Sequence, residues 1–167
     1  IPTMAGLSLR DAARAAECMN WPRLETVAIQ DTWRWYVKRR DMLDGFDGTS
    51  MGRALCAFSR LFEHTTQDEP MQLLWALVGL ESLYGQGQSG LAQQLRDKAQ
   101  AFLGKQVDFK KKVTDMYHFR SRFVHGDLDF PGLCLLGDAR DTVARFDGDL
   151  LDAIAVAVAL LAATLQE

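Results

Sequence analysis

The sequence predicts an all-α protein, an antiparallel helical bundle of four to five core helices with an N-terminal helical extension. Three observations lead there. β-Branched runs alternating with a period of two are nearly absent, and apolar residues recur at helical spacing through the whole second half. Short breaks marked by glycine or proline separate the periodic segments, and short connections favour antiparallel neighbours. Of 167 residues, 48% are hydrophobic and 25% charged, the balance of an ordinary globular domain. That excludes a disordered tail, a collagen-like repeat and a low-complexity linker. There is no internal repeat.

Residues 1–49 read as an N-terminal helical extension or the remnant of an upstream domain, and residues 50–167 as the bundle. Within the first part, residues 8–16 suit a short helix capped by Ser8. A second segment spans about residues 22–43, with Pro22 placed as a first-turn residue. It interleaves Trp33, Trp35 and Tyr36 with Arg34, Lys38, Arg39 and Arg40. Such a mixture suits stacking on and neutralising a single strand; the commoner reading is a surface helix whose aromatic rings are buried. Residues 45–50 break the chain as a loop.

The bundle then begins at Ser50 or Met51 with a helix to about His64, carrying Leu55, Phe58, Leu61 and Phe62 on one side. Asp68-Glu69-Pro70 opens the next helix, since acidic residues and proline suit a first turn. That helix runs to about Tyr84 and is apolar nearly all round, which places it in the middle of the bundle. Residues 85–90 form a flexible connector. A polar-faced helix over residues 91–103 stops at Gly104, and another over residues 107–125 stops at Gly126, where glycine tolerates a left-handed cap. Phe130-Pro131-Gly132 leads into the last helix, about residues 138–165. Its longest apolar run, Ala153 to Ala163, is about half of what a bilayer span takes, so it reads as a buried helix rather than a membrane segment.

A net charge of −3 excludes a uniformly basic nucleic-acid coat, so any such contact has to come from a local patch. Cys18, Cys56 and Cys134 are odd in number and far apart, which reads as reduced cytosolic thiols rather than a disulfide framework. With three histidines in all, no spacing resembles a zinc site, and no metal or cofactor is expected. No signal peptide is evident, and the expected compartment is the cytoplasm. The chain opens on Ile1-Pro2 without an initiator Met, as a piece of a longer protein would.

The informative helix ends Met116-Tyr117-His118-Phe119-Arg120-Ser121-Arg122-Phe123-Val124-His125-Gly126. Its apolar stripe steps through Phe109, Val113, Met116, Tyr117 and Val124, and Arg120 falls on that stripe. A guanidinium on a core face is rare and needs partners. Glu81 is the mirror anomaly, on the Leu74, Leu77, Tyr84 stripe of the most apolar helix. One misplaced charge of each sign predicts that Glu81 pairs with or orients Arg120. A buried ion pair that fixes bundle register fits the same spacing.

His125 lies about 140° round the helix from Arg120. His118, Arg122 and His125 are expected as a polar edge beside the Arg120 stripe, although a histidine at a helix end is also an ordinary dipole-favoured cap. Between Lys105 and Arg122, six basic residues face Asp108 and Asp115. Lys110, Lys111 and Lys112 within that run read as an RNA-binding patch or as a solvated face.

Read together, R-S-x-x-x-H-G over Arg120 to Gly126, Tyr117 three residues before the arginine, and Leu80-Glu81-Ser82-Leu83-Tyr84 upstream resemble the HEPN superfamily, specifically its Apea-like branch. The resemblance covers about residues 50–167. It implies a four- to five-helix bundle that forms a homodimer through the motif helices, many members being metal-independent endoribonucleases in toxin, defence or RNA-processing systems. It carries the motif arginine and histidine onto Arg120 and His125 and the acidic position onto Glu81, with Tyr117 and Ser121 supporting. Ser121 departs from the Asn, Asp or His often found after the arginine, which favours reduced activity. RNA is the implied ligand, and an antitoxin or other domains of a longer chain the implied partners. The alternative expectation is a non-catalytic RNA-binding or dimerisation module. A nucleotide binder ranks below both, because no phosphate-cradling glycine loop is present.

Overall fold

The computed structural model describes residues 7–44, 48–62, 69–87, 90–106, 110–129 and 141–167. These residues form α1 (Leu7–Met19), α2 (Ile29–Lys38), α3 (Arg40–Asp44), α4 (Ser50–Arg60), α5 (Glu69–Tyr84), α6 (Leu91–Leu103), α7 (Lys110–His125) and α8 (Asp141–Gln166), with no strand among them. The all-α bundle expected from the sequence is the observed architecture.

The centre of the bundle is α8. Every residue from Ala153 through Thr164 is buried, and α1, α4, α5, α6 and α7 all pack on this helix. The cause is the run of small side chains, with Ala153, Ala155, Ala157, Ala159, Ala162 and Ala163 letting neighbours approach from every direction. Leu160 and Leu161 fill the space between them. By length and composition α8 could cross a membrane, but 72% of its most apolar stretch is buried against the other helices.

The placement of α5 at the middle needs correcting. It packs between α4, α6 and α8, and Val78 is 44% exposed. The second half of α8 is also apolar all round, and its run is longer and its side chains smaller, so it takes the centre. Close approach of α5 to α8 depends on Gly79, where a Cβ would lie 2.7 Å from Leu161 Cδ2. At the helix ends, the Tyr84 hydroxyl lies 2.8 Å from Thr164 Oγ1. Because Thr164 already donates to the Leu160 carbonyl, Tyr84 is the donor.

The first 49 residues divide into two parts. Ala12, Ala16 and Met19 of α1 share one core with α8, and Trp21 Nε1 donates to the Gly104 carbonyl at 2.9 Å. The Gln166 side chain holds both backbone groups of Glu25, at 2.9 and 3.0 Å. Residues 22–28 are therefore extended along the bundle, and the helix expected from Pro22 begins only at Ile29. It breaks again at Arg39 before α3. No residue of α2 is buried, so the reading that hid its aromatic rings in a core is overturned.

Smaller differences concern helix ends. The first helix begins at Leu7, which puts Ser8 inside its first turn instead of at the cap. Thr49 caps α4, its hydroxyl oxygen accepting from the Gly52 N–H at 3.0 Å, and that helix ends at Arg60. His64, Asp68, Phe109, the connector residues Gln88 and Ser89, and residues 130–140 with Cys134 lie outside the described residues.

Candidate functional site

The sequence places two kinds of side chain on α7, and the helix geometry separates them. Val113, Met116 and Phe119 form its buried stripe, with Phe119 against Phe146 of α8 at 5.6 Å between ring centres. Tyr117 and Arg120, three residues apart, project toward α5. His118 and Arg122 are each two residues from Arg120, about 200° round the helix, and point the opposite way.

On the α5 side, Tyr117 donates its hydroxyl hydrogen to Glu81 Oε1 at 2.7 Å, and Arg120 Nη2 stands 3.6 Å from the same oxygen. The guanidinium also lies over the Tyr117 ring, 5.6 Å from its centre. Arg120 and Glu81 keep 25% and 23% of their side-chain surface exposed, so the pair sits at the rim of the bundle rather than in the core. Val124, expected on the buried stripe, is 49% exposed for the same reason. Burial, helped by the hydrogen bond and negative charge of Glu81, pushes the Tyr117 phenol up to about 12. Tyr117 thus stays a donor, and Glu81 is committed to it. The separation of 3.6 Å exceeds the usual 2.7–2.9 Å of a charge-assisted bond, and the buried Arg120 Nε–H has no acceptor. The result is an oriented guanidinium whose Nε–H is buried without a partner and whose outer part is exposed at the rim.

His125 ends α7 exposed, followed by Gly126 at φ 76°. The Asp127 N–H closes the turn on the Arg122 carbonyl at 2.8 Å. Positive φ at Gly126 is the left-handed cap expected from the sequence. The His125 side chain makes no hydrogen bond or ion pair among the described residues, with Arg120 or with any other group. Ser121 is half-buried beside them.

The other expected binders whose side chains are described lie on the α8 side. Lys110 opens the helix, while Lys111, Lys112, His118 and Arg122 line a groove of about 380 Å³ between α7 and α8. Arg145, Asp115, Asp149 and Asp152 complete it, and Lys112 is paired with Asp152. His118, Arg122 and His125 fall within about 60° of one another on α7 and all are exposed, so they share one side of the helix as expected, but that side turns away from Arg120. His118 and Arg122 line the groove, and His125 stands at the helix end. Arg145, Asp149 and Asp152 went unnoticed in the sequence, though their i, i+4, i+7 spacing marks one charged face on the first half of the last helix.

Among the described residues no group of three or more His, Cys, Asp or Glu could hold a metal ion. No family model, no curated protein and no solved structure matches the chain.

Proposed function

We propose that the protein is a metal-independent endoribonuclease of the HEPN type, acting as a homodimer through α7, with Arg120 and His125 at the cleavage site. The observation that carries this reading is the guanidinium of Arg120, placed by Glu81 and the Tyr117 ring with a quarter of its side chain exposed at the rim of the bundle. A planar fork with spare donors suits a phosphate. Cleavage by the neighbouring 2′-hydroxyl needs a base for its proton and a cation for charge developing on the phosphate. The exposed imidazole of His125 at the helix end is the candidate for the first task. The 2′-oxygen attacks phosphorus, the bond to the 5′-oxygen breaks, and that oxygen takes a proton from a second imidazole. Among the described residues one chain holds one such imidazole at this end, and a twofold dimer provides two. The cationic side chains of the α7–α8 groove would engage the strand beyond the scissile bond, in a cytoplasmic toxin, defence or RNA-processing setting.

The test uses an RNA strand in the presence of EDTA. RNA fragments with 2′,3′-cyclic phosphate ends, and an intact DNA strand of the same sequence, support the reading. Fragments with other ends, or equal cutting of DNA, contradict it.

The separation of His125 from Arg120 by about 140° round α7 favours a second reading, a non-catalytic RNA-binding or dimerisation module. There, Arg120 is a structural partner of Glu81. Marked destabilisation of Arg120→Ala in a protein that cuts no RNA would select this reading.

A further inference from the structure

We propose that α2 is a platform on which single-stranded RNA stacks. This deepens the ribonuclease reading, and rests on it for the choice of RNA as the strand. In α2, Trp33 is 64% exposed and Trp35 40% exposed, in a helix with no buried residue. Trp33 and Tyr36 already stack on one another, with centres 5.4 Å apart and planes 29° from parallel. Ring order of this kind precedes the strand, so less is lost on binding. Exposed cations alternate with the rings: Arg34, Lys38 and Arg39 follow within the same stretch, and the acid Asp31 is tied to Arg34 at 3.1 Å.

Charge decides among occupants. Residues 29–40 carry four cations against one acid, in a chain whose net charge is −3. Twofold packing of α2 on a second copy would bring two such helices together, and like charge opposes it. An anionic lipid surface needs all apolar groups on one side of the helix. Ile29, Trp33 and Val37 do share a side, but Trp35 stands about 160° round from Trp33. Rings on two sides with cations between them match a strand that passes round the helix, its bases on the rings and its phosphates on Arg34 and Lys38.

The experiment measures anisotropy of a labelled 2′-O-methyl oligonucleotide of about twelve nucleotides, which 2′-hydroxyl chemistry cannot cut, with the whole chain and its variants. Trp33→Ala and Trp35→Ala are each expected to weaken binding at least about fivefold, Trp33→Phe far less, and Arg34→Glu with Lys38→Glu to reduce its salt dependence. Both tryptophans are exposed, so the fold should survive, and circular dichroism checks it. Absence of binding by the parent chain, or equal affinity of parent and both alanine variants, overturns the proposal. So does attachment to phosphatidylserine vesicles, or a change in oligomeric state, as the only property the tryptophan variants lose. Binding through Trp33 by a chain that cuts no RNA upholds the platform and ends the nuclease reading. Cleavage indifferent to Trp33 and Trp35 does the reverse.

Discussion

Tyr117 and Glu81, from α7 and α5, share a hydrogen bond of 2.7 Å, and that bond decides what Arg120 is left free to do. Arg120 Nη2 stands 3.6 Å from the oxygen that accepts from the phenol, so the guanidinium has a neighbouring negative charge beyond hydrogen-bond length. Tyr117→Phe removes a donor to a charged group, which costs about 1–3 kcal/mol in urea unfolding. It also frees Glu81 to close on Arg120, and cleavage is expected to fall more than tenfold. Full activity in Tyr117→Phe would show that the arrangement is structural only.

Alkaline titration follows from the same contact. The folded protein holds the Tyr117 proton up to about pH 12, whereas the unfolded phenol has the ordinary value of 10.0. Unfolding between these values releases a proton. The contribution to stability is complete below pH 10 and is lost as pH rises through 12. Denaturant midpoints across this window are expected to fall less steeply for Tyr117→Phe than for the parent. Parallel curves would remove the assigned environment.

Gly79→Ala tests the bundle centre. The added Cβ meets Leu161 Cδ2 at 2.7 Å and Cδ1 at 2.9 Å, and Leu161 is itself fully buried. Overpacking at such a site costs about 1–3 kcal/mol. An unchanged urea midpoint would mean that α5 and α8 do not approach as described.

The groove between α7 and α8 makes a kinetic prediction. Arg122→Ala and Lys111→Ala remove cations that line it without touching Arg120. Each is expected to raise KM for RNA severalfold at fixed salt and leave kcat within about twofold. Loss of kcat with KM unchanged would place these residues at the chemistry instead.

Much of this was legible in the sequence because helical period and capping are local signals. Gly104 and Gly126 end their helices as read, and the opposite misplaced charges of Glu81 and Arg120 did meet. What escaped was set by tertiary competition. Both α5 and the second half of α8 are apolar all round, and the alanine run of α8 is what distinguishes the central one. Pro22 looked like a helix start, but burial of Trp21 and Pro22 and the grip of Gln166 on Glu25 keep the chain extended to Ile29. Angles of 200° on α7 sent His118 and Arg122 to the groove, which a linear motif does not display. The exposure of Trp33 and Trp35 has no local signal, because a buried and a solvated aromatic helix share one pattern.

The central claim is tested most directly by single-turnover cleavage of one labelled RNA in EDTA, comparing the parent with Arg120→Ala and His125→Ala at matched folded fraction. Parent cleavage that falls at least about a hundredfold in each variant is the predicted result. Equal rates in all three chains, or no cleavage by the parent, would contradict it.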